Sequence, residues 1–228
     1  MSTYLAFLVQ WAIGHYRPHR AAQQLAGADL ASPRSSPAFD SILGLAGRLS
    51  SMPLGRLPPD RSVRFNVNEV SLRHLRRAIE VANAARNHGN HPFGALLVGA
   101  DGKVLAEAEN TVVTGRDPTG HAELNLVRIA SAQFDREVLP RSTLFTSTEP
   151  CAMCAGAIFW SGIGKVVYAL SEEGLYTMTG ARIAQEAMKI PSREIFARCG
   201  RPVEVEGPAL EEESKGPHTG FWEHLGRP

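Results

Sequence analysis

Two short groups of residues have the types and the spacing of a metal site. His121-Ala122-Glu123 stands about 30 residues before Pro150-Cys151-Ala152-Met153-Cys154. Imidazole nitrogen and thiolate sulfur are ligands that suit Zn²⁺. Cysteines three residues apart on a helix share one face, and a helix N-terminus favours their thiolate form. His121, Cys151 and Cys154 are therefore the predicted zinc ligands.

The number of ligands indicates a catalytic centre. The third cysteine, Cys199, lies far downstream, and no other histidine forms a ligand pattern. A structural zinc site closes with four protein ligands, whereas a catalytic site keeps one position for water. Zinc lowers the pKa of that water to about 7, which gives a hydroxide nucleophile at neutral pH. Glu123, two residues from His121, is the predicted proton shuttle between this water and a leaving amine.

A zinc-binding scaffold without catalysis is the alternative. Such a site would hold the metal with His121, Cys151 and Cys154 but would have no use for the carboxylate of Glu123. A redox-active Cys-x-x-Cys motif is a further reading of the two cysteines, but it would leave the upstream His-x-Glu unexplained.

Helices and strands alternate around these groups. Leu72, Leu75, Ile79 and Ala82 recur at helical spacing, with Asn68 or Ser71 as the start and Gly89 as the end. Predicted strands cover residues 94–99, 103–108, 142–147, 165–170 and 202–206, and further helices cover 121–132, 151–160 and 183–189. This order predicts an α/β fold with three α-β-α layers around a mixed five-stranded sheet.

Composition excludes several classes of protein. The chain has 228 residues, of which 43% are hydrophobic and 21% are charged, as in a globular protein rather than a disordered or collagen-like one. No apolar run approaches the roughly 18 residues of a membrane helix. Three cysteines cannot form a disulfide framework and favour a reducing compartment, so we expect a cytoplasmic protein.

The charge divides the chain in two. Residues 1–64 contain seven arginines, no lysine and three aspartates, a net charge of +4, and residues 65–228 carry −3. The first part is rich in Pro, Ser and Gly and predicts an irregular, poorly ordered N-terminal extension. A transit peptide is the alternative reading of this leader, which has arginine, serine and few acids. Residues 65–228 are the predicted catalytic domain, including a divergent C-terminal tail.

The motifs resemble those of the cytidine/deoxycytidylate deaminase superfamily. The closer resemblance is to the branch of bacterial guanine deaminases and tRNA adenosine deaminases, and it runs from roughly Glu69 to Leu170. It rests on residues 92–95, Asn110, residues 117–123 and residues 148–158. The resemblance implies a cytidine-deaminase-like fold, with zinc on His121, Cys151 and Cys154 and with Glu123 as the proton shuttle. It further implies that Asn110 and the backbone N–H of Ala122 contact the base.

The implied activity is hydrolytic deamination of an amino-bearing nucleobase or nucleoside, with release of ammonia. Phe93 and Trp160 resemble the guanine deaminase branch, where aromatic side chains can line or cap a base pocket, and they favour a guanine-like purine. Ordinary core packing is the alternative for either ring. Glu172 or Glu173, and the tail pair Phe221-Trp222, are candidates for closing the pocket, with solvated charges and packing as the alternatives.

A tRNA adenosine-to-inosine deaminase is the alternative function within the same chemistry. Binding a polyanion requires Lys and Arg at its phosphates. The net charge of −3 on residues 65–228 therefore favours a small-molecule substrate over nucleic acid. Enzymes of this type are often homodimers through the helices of the metal site, and the apolar run 155–159 would allow such contact.

Overall fold

The computed structural model describes residues 67–224, without the side chains of residues 181–186 and 224. The described residues belong to one compact unit, residues 61–228. The predicted irregular extension, residues 1–64, lies outside the described residues. Within the described part, no helix combines the length and the apolar character needed to cross a membrane.

Helices and strands alternate along most of the described chain. The helices are α1 (Glu69–Asn87), α2 (Val112–Gly115), α3 (Ala122–Gln133), α4 (Ala152–Ser161), α5 (Glu172–Glu186), α6 (Ser192–Phe196) and α7 (Glu211–Lys215). The strands are β1 (Gly94–Val98), β2 (Val104–Glu109), β3 (Thr143–Thr148), β4 (Lys165–Leu170) and β5 (Glu204–Glu206). Short 3₁₀ turns lie between α3 and β3, at Leu139–Arg141, and after α7, at Gly216–His218 and Trp222–His224.

The five strands form one mixed sheet in the order β2-β1-β3-β4-β5. Strand β1 is antiparallel to both β2 and β3, whereas β3, β4 and β5 run parallel to one another. Parallel strands place their carboxyl ends at the same edge, so β3 and β4 deliver the residues that follow them to one side of the molecule. The predicted mixed five-stranded sheet is confirmed.

The sheet lies between two helical layers because successive strand residues point to opposite faces. On one face the strands pack against α1 through Leu96, Val98, Phe145, Val167 and Ala169. On the other face they pack against α3 and α4 through Ala95, Leu97, Leu144 and Val166. Gly94 is required at the start of β1, since a Cβ there would lie 2.5 Å from the backbone of Ala78 and of Ala82 in α1. The predicted three layers are thus confirmed.

The C-terminal part differs from the prediction. A helix was expected from residue 183, but α5 begins at Glu172 and contains one non-helical residue, Gly180, with φ 80°. Ser171 caps this helix by accepting a hydrogen bond from Gly174 N at 3.1 Å, and Glu172 and Glu173 occupy its first turn, where carboxylates are favourable. The sequence analysis weighs Glu172 and Glu173 as pocket acids or solvated charges, and it does not predict that they start a helix.

Candidate metal centre and substrate pocket

Three ligand atoms come together at the N-termini of two helices. His121 is the N-cap residue of α3, Cys151 is the N-cap residue of α4, and Cys154 lies in the first turn of α4. The Nδ1 atom of His121 lies 3.6 Å from each Sγ atom, and all three ligand atoms lie within 4.8 Å of one another. Tetrahedral zinc places a nitrogen and a sulfur ligand about 3.6 Å apart. The donor set and its spacing therefore fit Zn²⁺.

The electrostatics of the two cysteines favour a cation. The pKa of Cys151 is lowered to about 4 because its sulfur accepts hydrogen bonds, first from the Cys154 thiol and also from the imidazole of His121. The pKa of Cys154 is raised because its proton is held by Cys151, and burial and the nearby Glu123 add to this effect. The pair thus carries one negative charge in a largely buried site, where a metal ion can replace the remaining proton.

Glu123 lies beside the ligand atoms with only 5% of its surface exposed. Its carboxylate accepts a hydrogen bond from the Thr146 hydroxyl at 3.3 Å and lies 3.7 Å from Cys154 Sγ. Burial raises the pKa of Glu123 to about 7. A carboxyl group with a pKa near neutrality can both accept and return a proton at physiological pH. This geometry suits the proton shuttle that the sequence predicts.

Asn110 follows β2 and offers a donor to a ligand. Its side-chain oxygen accepts from Val112 N at 3.0 Å, and its backbone N–H donates to the carbonyl oxygen of Phe93 at 3.0 Å. The side-chain Nδ2 is fully buried and has no partner among the described residues. A buried donor without a partner costs about 1–3 kcal/mol, which a hydrogen bond to a bound base would recover.

An aromatic cluster lies next to the metal centre, made of His91, Phe93, His218, Phe221 and Trp222. The Trp222 ring lies 5.5 Å from His91, 6.1 Å from Phe93 and 5.0 Å from Phe221, measured between centroids. Burial, first, and the charge of His121 lower the pKa of His91. Backbone hydrogen bonds from Asn110 to Phe93 and from Thr111 to Gly120, the residue before His121, connect the cluster to the ligand helix. Only Phe93 of this cluster was predicted as a base contact, and Phe221-Trp222 were named only as a candidate tail.

The structure does not bring Trp160 into this group. Its side chain is 83% exposed on α4, and the ring described next to it is that of Phe159, 5.4 Å away. The assignment of Trp160 to the base pocket stays a prediction. Ala122, in contrast, is buried at the first position of α3, where backbone N–H groups have no acceptor within the helix.

Of the two acids after β4, only Glu172 is buried. It is 6% exposed, its carboxylate accepts from the Tyr176 hydroxyl at 2.5 Å, and Glu173 is exposed. Burial, chiefly, raises the pKa of Glu172 to about 7, and the charges of Glu149 and then Cys151 add to this effect, against the hydrogen bond from Tyr176. Both acids line one cavity of about 700 Å³, and of the two Glu172 is the one that is buried and held by a side-chain hydrogen bond.

Glu149 has a structural role that the sequence did not indicate. Its carboxylate accepts from the backbone N–H and the hydroxyl of Ser192 at 3.0 and 2.7 Å, and from the backbone N–H of Glu172 at 3.3 Å. These hydrogen bonds hold the N-termini of α5 and α6 against residues 149–150, which directly precede Cys151.

Comparisons with known proteins agree with this site. Residues 68–170 match the model of the cytidine and deoxycytidylate deaminase zinc-binding region. The chain is 43% identical over 157 residues to a probable cytosine deaminase of Schizosaccharomyces pombe, covering 69% of this chain and 95% of that protein. It is 44% identical over 96 residues to a guanine deaminase of Bacillus subtilis, covering 42% of this chain and 61% of that protein.

A solved structure from a study of tRNA:A34 deaminases has the same fold. It superposes with a TM-score of 0.52 at 29% identity and covers 64% of this chain and 99% of that one. The family of the chain follows from these similarities together with the histidine and cysteine ligands and the buried glutamate. The chain belongs to the cytidine and deoxycytidylate deaminase family.

Proposed function

We propose that this protein catalyses the hydrolytic deamination of a small amino-bearing nucleobase or nucleoside, with a guanine-like purine as the favoured substrate. The observation that carries the proposal is Glu123, a buried carboxyl group with a pKa of about 7 beside three zinc-type ligands. A zinc scaffold without catalysis would gain nothing from a buried acid at this place, and burying it costs stability.

Each residue of the metal centre has a role in this chemistry. His121, Cys151 and Cys154 would hold zinc, which when bound supplies a Lewis acid that makes water a nucleophile at neutral pH. Glu123 takes one proton from the attacking water and delivers it to the ring nitrogen beside the attacked carbon, and it then passes the second water proton to the departing amine. The water oxygen replaces the amino nitrogen on the ring carbon, so that the products are a carbonyl compound and ammonia.

Binding and orientation of the base fall to groups around the metal centre. The unpartnered Nδ2 of Asn110 donates to a ring nitrogen or carbonyl, and the N–H of Ala122 donates beside the attacked carbon. Phe93 and Trp222 supply apolar ring faces on which a planar base can stack.

The purine preference rests on Phe93 and Glu172. Phe93 is partly buried within the aromatic cluster, and Glu172 offers a buried carboxyl group that can accept from the N–H groups of a guanine-like edge. Cytosine is the second candidate, favoured by the 43% identity to a probable cytosine deaminase along nearly all of that relative's length. Deamination of tRNA is disfavoured by the net charge of −3 on residues 65–228.

An ammonia-release screen tests this proposal. The zinc-loaded chain is assayed with guanine, guanosine, adenine, adenosine, cytosine, cytidine, triazines and a tRNA anticodon stem-loop. We expect the highest kcat/KM with a free purine, and Glu123→Gln should lower it by at least about 10³-fold. Glu137→Gln is the matched control, because Glu137 is exposed in the turn that follows α3. Undiminished turnover by Glu123→Gln would refute the shuttle, and efficient inosine formation in the stem-loop would refute the choice of substrate.

A further inference from the structure

The side chain of Arg86 binds the C-terminal segment, residues 216–223, from the last turn of α1. Its Nη1 atom donates to the carbonyl oxygen of Pro217 at 2.7 Å and to that of Thr219 at 2.9 Å. The guanidinium carbon lies 5.8 Å from the centroid of the Phe221 ring, in cation–π geometry. One side chain thus contacts three residues of the segment, at positions spread over five residues.

The segment itself has little regular structure to hold it. It has 3₁₀ turns only, at Gly216–His218 and from Trp222, and the amides of Thr219 and Phe221 bond back three or four residues, to Gly216, Lys215 and His218. Carbonyl groups outside a continuous helix or sheet need donors from elsewhere. Arginine suits this task because its guanidinium is always charged and presents several donors in a fixed plane.

The rings that Arg86 holds in place pack against residues that directly precede β1. Phe221 lies 6.0 Å from His91, and Trp222 lies between His91 and Phe93, with its indole N–H bonded to His218. Phe93 accepts the backbone hydrogen bond of Asn110 at 3.0 Å, and the next amide, that of Thr111, donates to the carbonyl oxygen of Gly120 at 2.8 Å. Gly120 directly precedes the metal ligand His121. The segment therefore reaches the same place as the metal ligands and the base-binding amide.

We propose that Arg86 is a positioning residue for substrate binding. It fixes the C-terminal segment so that Phe221 and Trp222 form one wall of the base pocket, and it acts through these rings without touching the base. Loss of these contacts raises the free energy of the conformation in which the rings form the wall. Part of the binding free energy of the base is then used to order the segment, and the base binds more weakly. The inference rests on the proposed function for the identity of the ligand, whereas the anchoring itself does not depend on it.

Arg86→Met and Arg86→Lys test this role in the full-length, zinc-loaded chain. We expect the amides of Thr219 and Phe221 to exchange hydrogen about tenfold faster in Arg86→Met, because two carbonyl contacts are lost. With the best base from the ammonia screen, KM should rise about tenfold while kcat changes less than about threefold. Arg86→Lys keeps the charge and one donor nitrogen. We therefore expect its exchange rates and its KM to lie between those of the wild type and Arg86→Met.

Arg76→Met is the matched control. Arg76 lies on the same helix and pairs with Glu213 of α7 at 3.0 Å, but this ion pair is exposed and precedes the segment. We expect exchange and KM to stay at wild-type values in Arg76→Met. Phe221→Leu is the second variant, and it should raise KM while Arg86 still holds the carbonyl oxygens.

Each outcome decides one step. Unchanged exchange in Arg86→Met would overturn the anchor, and faster exchange with unchanged KM in both Arg86→Met and Phe221→Leu would overturn the wall. A wild-type chain that releases ammonia from no base would contradict the proposed function, and the exchange measurement would still decide whether Arg86 holds the segment.

Discussion

The indole N–H of Trp222 donates a hydrogen bond to Nδ1 of His218 at 3.3 Å, and the two rings are stacked at an angle of 11°. Because Nδ1 is the acceptor, the proton of the neutral imidazole lies on Nε2, which is buried without a partner in the described part of the chain. Burial, first, and the charge of Arg86 lower the pKa of His218 to about 4. This pair makes the C-terminal segment sensitive to acid.

We expect the stability of the protein to fall as the pH drops from about 6.5 to about 4, in part because of His218. The unfolded chain binds a proton near the ordinary histidine pKa, whereas the folded chain resists it, so the stabilisation is present above that pKa and lost below it. The full effect is on the order of 3 kcal/mol. Urea unfolding midpoints measured across this range should depend less steeply on pH in His218→Asn, which keeps an acceptor for Trp222. Equal pH dependence in both proteins would contradict the assignment.

Metal content should depend on Cys154 and not on Cys199. Cys154→Ala removes one of three ligands, and the purified variant should carry much less than one zinc per chain. Cys199→Ser is the control, since the Cys199 thiol donates to the carbonyl oxygen of Ile195 and belongs to no metal cluster in the described residues. Elemental analysis of the wild type and both variants measures the zinc content per chain. Zinc retained by Cys154→Ala at the wild-type level would disprove the site.

Asn110→Asp separates the two functions of this amide. The aspartate keeps an oxygen for the N–H of Val112 but replaces the unpartnered Nδ2 donor by an acceptor. We expect kcat/KM for the base to fall at least about 100-fold, with zinc content unchanged. Steady-state kinetics with metal analysis on the same sample provide the test. A variant that binds the base as well as the wild type would show that Nδ2 faces no substrate.

Trp160 offers a test of the expected homodimer. Trp160 is 83% exposed on a helix of the metal centre, and tryptophan is enriched at protein–protein interfaces relative to the rest of the surface. If a second copy provides this cover, Trp160→Gln should shift the protein from dimer to monomer in light scattering. Val70→Gln is the control, since Val70 is 48% exposed on the opposite helical layer. A wild-type protein that is already monomeric would rule out the dimer.

The metal centre was predictable from the sequence because its ligands lie in two short motifs at helix starts. Cys151 and Cys154 are three residues apart at a helix start and therefore share one face. Glu123 follows the ligand His121 by two residues, which keeps it close in the chain but pointing in a neighbouring direction. The hairpin of β1 and β2 was predictable for the same reason, through the turn at Asp101-Gly102.

The aromatic cluster was not predictable in this way. His91 and Trp222 are far apart in the sequence, and their contact depends on the path of the tail from β5 back to α1, for which no periodic pattern exists. The early start of α5 was missed because one capping serine and two acids are weaker signals than an apolar repeat. Trp160 was placed in the pocket by resemblance, and burial could not be read from its position on a short helix.

The order of these elements along the chain has a consequence for how such proteins can diverge. The metal ligands and the acid lie before residue 155, whereas Phe221 and Trp222 come from beyond residue 216. The reacting residues and the two tail rings of the proposed base pocket thus come from separate stretches of sequence, although Phe93 and Asn110 lie in the first of them. A new tail could change which base fits against the rings without any change at the residues that perform the reaction.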